Sequence, residues 1–210
     1  MVISSINYDE QEIIRNILEL HVPSKLIDCD PTYSIGNFYK KGLSQPTYKF
    51  DKFPSIEGVV EATSDNLPLG RESIDTIMFD PPFVIGGANY KESKEGSCII
   101  AKRFTNFTSW EELQKMYSGS LKEFYRVLKH DGVVIFKCQD CVASAKQHFS
   151  HVWLMYEAVK QGFYPKDLFI LLAKNRLTDK RKQQHARKYH CYYWVFKKEV
   201  CKVFYNFSNL

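Results

Sequence analysis

The sequence predicts an α/β fold with a mostly parallel sheet, helices on both faces and an antiparallel terminal hairpin strand. Short apolar segments of strand length alternate with segments of helical spacing, and most of the predicted strands end in or next to a carboxylate. At 210 residues and 44% hydrophobic, the chain is long enough for one substantial core and too short for two. We therefore expect a single domain over 1–210.

The N-terminal half contains one clear helix and four strands. Apolar residues recur at helical spacing over Asp9–Leu20, with acidic residues in the first turn, and Pro23 closes this helix. The strands are expected at Lys25–Cys29, Thr47–Phe50, Gly58–Ala62 and Ile74–Phe79, with a turn of small residues and a short helix carrying Lys40 and Lys41 after the first. Ligands gather where such strands end in an open α/β sheet.

The C-terminal half continues the alternation after a long irregular segment, 84–108. A connection of that length inside a compact domain is more often functional than not, and Tyr90, Lys91, Lys94, Lys102 and Arg103 are its candidate contacts to a substrate. Helices are expected at Trp110–Leu128 and Val142–Gln161, and strands at Val133–Lys137, Leu168–Ala173 and Tyr192–Phe196. The last two strands enclose a basic segment and form the terminal hairpin.

Charge and cysteine usage limit the class of protein. The net charge of +5 is modest, but the segment 174–188 has Asp179 as its only acid. Its cations are Lys174, Arg176, Lys180, Arg181, Lys182, Arg187 and Lys188. Cys138 and Cys141 have metal-ligand spacing, but no second pair completes a site, so we expect reduced, buried thiols and no metal. No secretory signal or long apolar run is present, which predicts a cytoplasmic protein without a membrane partner.

Asp80-Pro81-Pro82-Phe83, directly after a hydrophobic strand, is the strongest chemical signal. Two prolines fix the backbone, so the Asp80 carboxylate and the Pro81 carbonyl can point into one small cavity. Two such acceptors would bind both hydrogens of an aromatic amine and favour a pyramidal, nucleophilic nitrogen. Phe83 would stack on the base that carries the amine. The alternative, a rigid turn without catalytic function, is not excluded by these four residues alone.

The order of motifs resembles the S-adenosylmethionine-dependent amino-methyltransferases that modify adenine N6 or cytosine N4 in DNA. These motifs are Asp30-Pro31-Thr32-Tyr33-Ser34-Ile35-Gly36-Asn37-Phe38, then Asp51, Asp65 and Asp80-Pro81-Pro82-Phe83. The resemblance implies a Rossmann-like class I methyltransferase fold, with S-adenosyl-L-methionine as cofactor. Ser34 stands where the family's loop has its first glycine.

The resemblance also implies individual roles. Asp80, Pro81, Pro82 and Phe83 would be catalytic, and the cofactor-binding residues would be Asp30, Tyr33, Ser34, Gly36, Asn37, Asp51 and Asp65. Within that set, Asp30 and Gly36 would line the methionine part, Asp51 would bind the ribose hydroxyls and Asp65 the cofactor's adenine amine. A turn or helix cap is the alternative for Asp65.

These observations predict a site-specific nucleic-acid methyltransferase, with adenine N6 in DNA favoured over RNA. The basic segment would contact phosphates, although a solvated hairpin tip is the alternative. No segment is long enough for a large separate target-recognition domain, so a partner subunit is a candidate for that role. Methylation of cytosine N4, of an RNA amine or of a protein glutamine amide stays open, as does a catalytically idle, nucleic-acid-binding partner of an active enzyme.

Overall fold

The computed structural model describes residues 2–85, 107–174 and 184–200. In these ranges the elements are, in chain order, β1 Ile6–Asn7, α1 Glu10–His21, β2 Cys29–Asp30, a 3₁₀ helix Asn37–Lys41, β3 Tyr48–Asp51, β4 Val60–Glu61, β5 Ile74–Phe79, α2 Trp110–Val127, β6 Leu128–Cys138, β7 Cys141–Ala143, β8 Lys146–His148, α3 Ser150–Lys160, β9 Tyr164–Leu172 and β10 His190–Lys197. Strands β7 and β8 form a separate hairpin, and the other eight form one sheet.

The large sheet has the strand order β1-β9-β10-β6-β5-β2-β3-β4. Strand β10 is antiparallel to both of its neighbours, β6 and β9, and the remaining ladders are parallel. The predicted mostly parallel sheet with an antiparallel strand from the terminal hairpin is therefore confirmed. From β2 the chain builds outward to β4 and then crosses back to β5, so the strand order reverses between β2 and β5. Ligands of open α/β sheets bind at the carboxyl ends of the strands beside such a reversal.

Both faces of the central strands are buried over Thr76–Phe79 and Val133–Phe136, which explains why these parts of β5 and β6 are almost entirely apolar. Helix α1 covers one face, where Ile13, Ile14 and Ile17 pack with Met78 and Ile135. Helices α2 and α3 cover the other face, which carries the alternate residues of the same strands, including Phe79 and Phe136. This period of two places one face of each strand under each helical layer, as the pleat requires.

Helix α1 begins where its sequence predicts. The Asp9 carboxylate accepts hydrogen bonds from the backbone N–H groups of Gln11 and Glu12, which otherwise lack a partner in the first turn. The amphipathic pattern then orients the helix against the sheet and fixes Glu10, the first helical residue, at the carboxyl end of β6 near Lys137.

Several predicted elements differ from the structure. Strand β2, Cys29–Asp30, overlaps the predicted Lys25–Cys29 only at Cys29, and β9, Tyr164–Leu172, begins earlier than the predicted Leu168–Ala173. The predicted helix Val142–Gln161 is wrong in its first part, where the chain forms the β7–β8 hairpin before α3 begins at Ser150. Ser144 and Ala145 turn this hairpin at φ 49° and 60°, a conformation that helical spacing does not reveal. Strand β6 is longer than predicted because Asp131, at φ 66°, makes a local irregularity inside the strand and does not terminate it.

Candidate active site

A cavity of about 250 Å³ lies at the carboxyl ends of β2, β3, β4 and β5, beside the reversal of strand order. Its wall consists of Pro31, Thr32, Ser34, Asp51, Lys52, Phe53, Ala62, Thr63, Ser64, Asp65, Asp80, Pro82, Phe107 and Met116. Segments predicted separately from the sequence, the loop after β2 and the ends of β3, β4 and β5, therefore meet at one site.

Asp80 is held from two sides at the end of β5. Its backbone N–H donates to Thr32 Oγ1 at 2.9 Å, and its Oδ2 accepts a hydrogen bond from Lys137 Nζ at 3.2 Å. Burial raises the pKa of the Asp80 carboxyl above its ordinary value, and the Lys137 ammonium opposes that rise. The charged, hydrogen-bond-accepting form of Asp80 thus depends on its lysine neighbour.

The Pro82 carbonyl fixes the double-proline corner in place. The Tyr117 hydroxyl donates to the Pro82 carbonyl at 3.1 Å, which fixes the corner to helix α2. Burial raises the pKa of Tyr117 well above its ordinary value, so its hydroxyl stays protonated and remains a donor. Pro82 lines the cavity, Pro81 is buried, and the Phe83 side chain is partly exposed next to them.

The loop after β2 adopts the conformation that glycine favours, although its first candidate glycine is a serine. Ser34 has φ 53° and its N–H donates to Asp51 Oδ2 at 3.0 Å, while Asp51 Oδ1 accepts from the N–H of Phe53 at 2.8 Å. These two bonds orient the Asp51 carboxylate on the cavity wall. Each oxygen retains lone-pair capacity for a hydroxyl group of a ligand.

Four other predicted loop residues lie off the described cavity wall. Asp30 is fully buried and accepts hydrogen bonds from the Thr32 N–H and hydroxyl and from the Tyr39 hydroxyl. Tyr33 stacks on Tyr39 at 5.5 Å between ring centroids. Gly36, at φ 66°, lies so close to the Tyr33 ring that a Cβ would come 2.6 Å from Tyr33 Cζ. The Asn37 side chain accepts from Lys40. Their cofactor roles stay predictions.

Asp65 lies in a turn that packs against helix α2. Ser64 Oγ lies 2.7 Å from Ser120 Oγ, and a Cβ on Gly119 would lie 3.2 Å from Asp65 Cβ. Glu123 accepts a hydrogen bond from the Leu67 N–H at 2.7 Å, which anchors the far end of the turn. The small residues of α2 therefore allow Asp65 to approach the helix closely and remain on the cavity wall.

The polar groups beside Asp80 were not predicted from the sequence. Lys137, at the end of β6, and Glu10, at the start of α1, contact each other through Nζ and Oε1 at 2.8 Å. Lys137 is the one charged residue in an otherwise apolar predicted strand, which was the available signal. Phe107 and Met116, on the cavity wall, were not predicted as site residues either.

The candidate nucleic-acid contacts are only partly within the described ranges. Lys174 and Arg187 are exposed and Lys188 is half-buried. Arg176, Lys180, Arg181 and Lys182 lie outside the described residues, as do all the candidate contacts in the segment after Phe83. His185, at the end of the basic segment, lies 3.2 Å from the Ala145 carbonyl at the tip of the β7–β8 hairpin.

Two further features concern metals and membranes. Across 2–85, 107–174 and 184–200, no three His, Cys, Asp or Glu side chains come together as a metal site. Cys138 is buried and Cys141 half-buried. In the same ranges, none of the helices has both the length and the apolar character needed to span a bilayer.

The cavity chemistry suits a nucleoside-like ligand that carries hydroxyl, amine and positively charged groups. Asp51, Asp65 and Asp80 supply acceptors, and Phe107 and Met116 supply apolar surface between them. A carboxylate at the end of the second strand in such a sheet is placed to bind vicinal hydroxyls. The residues present therefore fit a cationic nucleoside cofactor.

Comparisons with known proteins agree with this assignment. Residues 74–208 match the family model for N6/N4 methyltransferases, described as DNA methylase. In the complex between the Haloferax volcanii Trm112 methyltransferase activator and a proposed methyltransferase, a chain matches with 11% identity and a TM-score of 0.50, covering 89% of this chain and 88% of that chain. That likeness confirms the predicted fold class.

Two further solved structures are more distant. A proposed DNA modification methylase from Thermus thermophilus is 14% identical, with 70% of this chain and 54% of that chain covered and a TM-score of 0.43. A SAM-dependent methyltransferase from Methanosarcina mazei is 12% identical, with coverages of 93% and 81% and a TM-score of 0.40. The chain spans about half the length of the Thermus thermophilus structures that it matches. No curated protein sequence matches it.

Proposed function

The chain belongs to the DNA methylase family of N6/N4 methyltransferases, and on that premise we propose that it methylates an exocyclic amine of a nucleic-acid base, with adenine N6 in DNA as the first candidate. The methyl donor of this family is S-adenosyl-L-methionine, which supplies the methyl group as an electrophile bound to a positively charged sulfur. The neutral amine of the base is the nucleophile.

One observation carries the proposal. Asp80 and Pro82 of the Asp-Pro-Pro corner line the same cavity as three predicted cofactor contacts, Ser34, Asp51 and Asp65, although these residues follow separate strands. An enzyme of this kind needs the acceptor of the amine next to the donor of the methyl group, because transfer requires both reactants within contact distance and in line. A rigid turn without catalytic function would not require this convergence.

Asp80 and the Pro81 carbonyl are the proposed acceptors for the two hydrogens of the target amine. The Pro82 carbonyl already accepts the Tyr117 hydroxyl, which leaves Pro81 as the carbonyl for substrate at this corner. Hydrogen bonds to both amino hydrogens favour a pyramidal nitrogen whose lone pair is available for attack. Phe83, partly exposed beside this corner, would stack on the base once it has left its helix.

The cofactor roles follow the positions on the cavity wall. Asp51, oriented by two backbone N–H groups, would accept the ribose hydroxyls, and Asp65 would accept the adenine amine. Ser34 would contact the methionine part from the loop after β2. The other predicted residues of this loop would act by holding its conformation, through contacts that lie off the cavity wall. These residues are Asp30, Tyr33, Gly36 and Asn37.

DNA is favoured over RNA because of the family, and the basic segment 174–188 is the proposed phosphate contact. Single-domain organisation over 1–210 is part of the proposal, with target recognition supplied by a partner subunit. The Haloferax volcanii methyltransferase, which shares the fold, is in a complex with an activator protein. Seven cations in one segment would make binding strongly salt-dependent.

The proposal is tested by incubating the purified protein with labelled S-adenosyl-L-methionine and DNA or RNA, and identifying the product nucleoside by mass spectrometry. We expect N6-methyladenine in DNA. N4-methylcytosine or a methylated RNA base would correct the substrate and retain the enzyme class. No transfer by folded protein that binds the cofactor in calorimetry would refute the proposal and favour the idle partner.

The catalytic assignment is tested by Asp80→Ala beside Asp75→Ala as a matched control. Asp75 is an exposed residue of the same strand, remote from the cavity wall, and pairs only with Lys129 among the described ion pairs. Asp80→Ala should abolish turnover and leave cofactor affinity nearly intact, whereas Asp75→Ala should retain both. Turnover that survives Asp80→Ala would contradict the role assigned to Asp80.

A further inference from the structure

A partly buried ion cluster links Asp80, on the cavity wall, to Lys137 and Glu10, which lie outside the described wall. Lys137 Nζ donates to Asp80 Oδ2 at 3.2 Å and to Glu10 Oε1 at 2.8 Å. The Tyr193 hydroxyl donates to the same Glu10 oxygen at 2.5 Å. The ammonium also lies 5.4 Å from the Phe38 ring centroid and 5.8 Å from that of Tyr193. Side chains from separate parts of the chain thus surround one cation.

The cluster is shielded enough for its charges to matter. The side chains of Lys137, Asp80 and Glu10 are 12%, 22% and 28% exposed. Charge pairs at such burial are much less screened than surface pairs, and removal of one partner leaves a desolvated charge without compensation. One ammonium faces two carboxylates, so the cluster keeps one negative charge next to the cavity.

We propose that Lys137 is a positioning residue of the proposed methyl-transfer reaction, which keeps the Asp80 carboxylate ionised and fixed as the acceptor of the target amine, and that Glu10, anchored by Tyr193, holds the ammonium in place. The inference rests on the proposed function of Asp80. Lys137 acts through Asp80 and does not contact the amine. The charge relation itself is a property of the free protein.

Several ionisable groups face this cluster from the surrounding elements. Lys137 comes from β6, Glu10 from α1, Cys191 and Tyr193 from β10, Tyr117 from α2 and Asp30 from β2. Burial raises the pKa of the Cys191, Tyr117 and Tyr193 side chains above their ordinary values, so these groups are neutral near pH 7. Although burial alone would lower the pKa of Lys137, the Asp80 and Glu10 carboxylates raise it. Lys137 is therefore the cation of the cluster at neutral pH.

Two substitutions should move the Asp80 pKa in opposite directions. Lys137→Met removes the opposite charge, which favours the ionised form, and should therefore raise the pKa of Asp80. Glu10→Gln removes the second carboxylate and should lower it, because the Glu10 charge opposes ionisation of Asp80. Lys137→Arg retains the positive charge and is the matched control, in which the pKa of Asp80 should stay near that of the wild type.

The measurement is a ¹³C NMR titration of the Asp80 carboxyl in the cofactor-free protein, assigned by comparison with Asp80→Asn. The acid limb of the kcat profile should shift in the same directions, with KM for the cofactor little changed. The inference would be overturned if the pKa of Asp80 is unchanged in folded Lys137→Met, or if it rises in Glu10→Gln as well. If Lys137→Met does not fold, the downward shift in Glu10→Gln decides.

The two proposals fail in different ways. If the wild type methylates no nucleic acid, the proposed function is lost, while the NMR titration still shows whether Lys137 controls Asp80. If methylation occurs but the titration shows no control by Lys137, the proposed function stands and the positioning role is lost.

Discussion

Glycine at position 34 should give a more stable protein than alanine at the same position, against the usual effect of introducing glycine. Ser34 has φ 53°, where a residue with a Cβ pays about 1–2 kcal/mol and glycine does not. Glycine also gains freedom in the unfolded chain, which costs about 0.5–1 kcal/mol. The difference leaves a net stabilisation of about 0.5–1 kcal/mol for glycine over alanine at position 34.

The experiment compares Ser34→Gly with Ser34→Ala. The alanine variant retains Cβ and lacks the hydroxyl, so the step from alanine to glycine isolates the backbone term. Both keep the Ser34 N–H bond to Asp51. In a chain of this size, about 1 kcal/mol corresponds to roughly 2–4 °C in Tm, so glycine should melt about 1–4 °C above alanine.

Scanning calorimetry gives the melting temperatures, and titration with S-adenosyl-L-methionine gives the affinity. We expect Ser34→Gly to bind the cofactor at least as tightly as the wild type, because the loop keeps its shape. If Ser34→Gly melts at or below Ser34→Ala, then the left-handed backbone at residue 34 is not the source of strain and the argument fails.

Two further predictions concern the cofactor side of the cavity. Gly119→Ala should raise Tm, because alanine stabilises a helix interior by about 0.5–1 kcal/mol relative to glycine. It should also weaken cofactor binding in calorimetry, because the new Cβ would lie 3.2 Å from Asp65 Cβ. Lys122→Ala on the exposed side of α2 is the control, and unchanged affinity in Gly119→Ala would argue against a role for Asp65. Burial raises the pKa of Asp30 from 3.8 to about 7, although hydrogen bonds from Tyr39 and Thr32 lower it. The folded state therefore holds this proton more tightly than the unfolded chain does. The stability that protonated Asp30 contributes is fully present below pH 3.8 and is lost as pH rises through about 7. Denaturant unfolding at several pH values should show this loss in the wild type and less of it in Asp30→Asn; equal pH dependence in both would contradict it.

The strand that carries Asp80 could be predicted from sequence to the residue. Ile74–Phe79 is a mainly apolar run that ends at Asp80-Pro81, and the observed β5 has the same limits, with every residue except Asp75 buried. Asp51 and Asp65 were predicted at or near strand ends, and both lie on the cavity wall although β3 and β4 are short and partly exposed. Local pattern is sufficient where local structure and burial agree.

The ion cluster could not be predicted, because it depends on sheet order. Residues 10 and 193 are distant in sequence, and they meet at Lys137 only because β10 lies between β6 and β9, where its register pairs Tyr193 with Lys137. The β7–β8 hairpin was missed for a different reason. Its turn residues, Ser144 and Ala145, lack the glycine or asparagine that normally indicates a left-handed turn.

The Thr32 hydroxyl links the end of β2 to the backbone of Asp80 through a single oxygen. It donates to Asp30 at 3.1 Å and accepts from the backbone N–H of Asp80 at 2.9 Å. A ligand that immobilises one loop therefore removes some of the conformational entropy that the second ligand would otherwise have to remove. Cofactor and nucleic acid should then bind with positive cooperativity, and substrate affinity that is the same with and without a cofactor analogue would contradict this coupling.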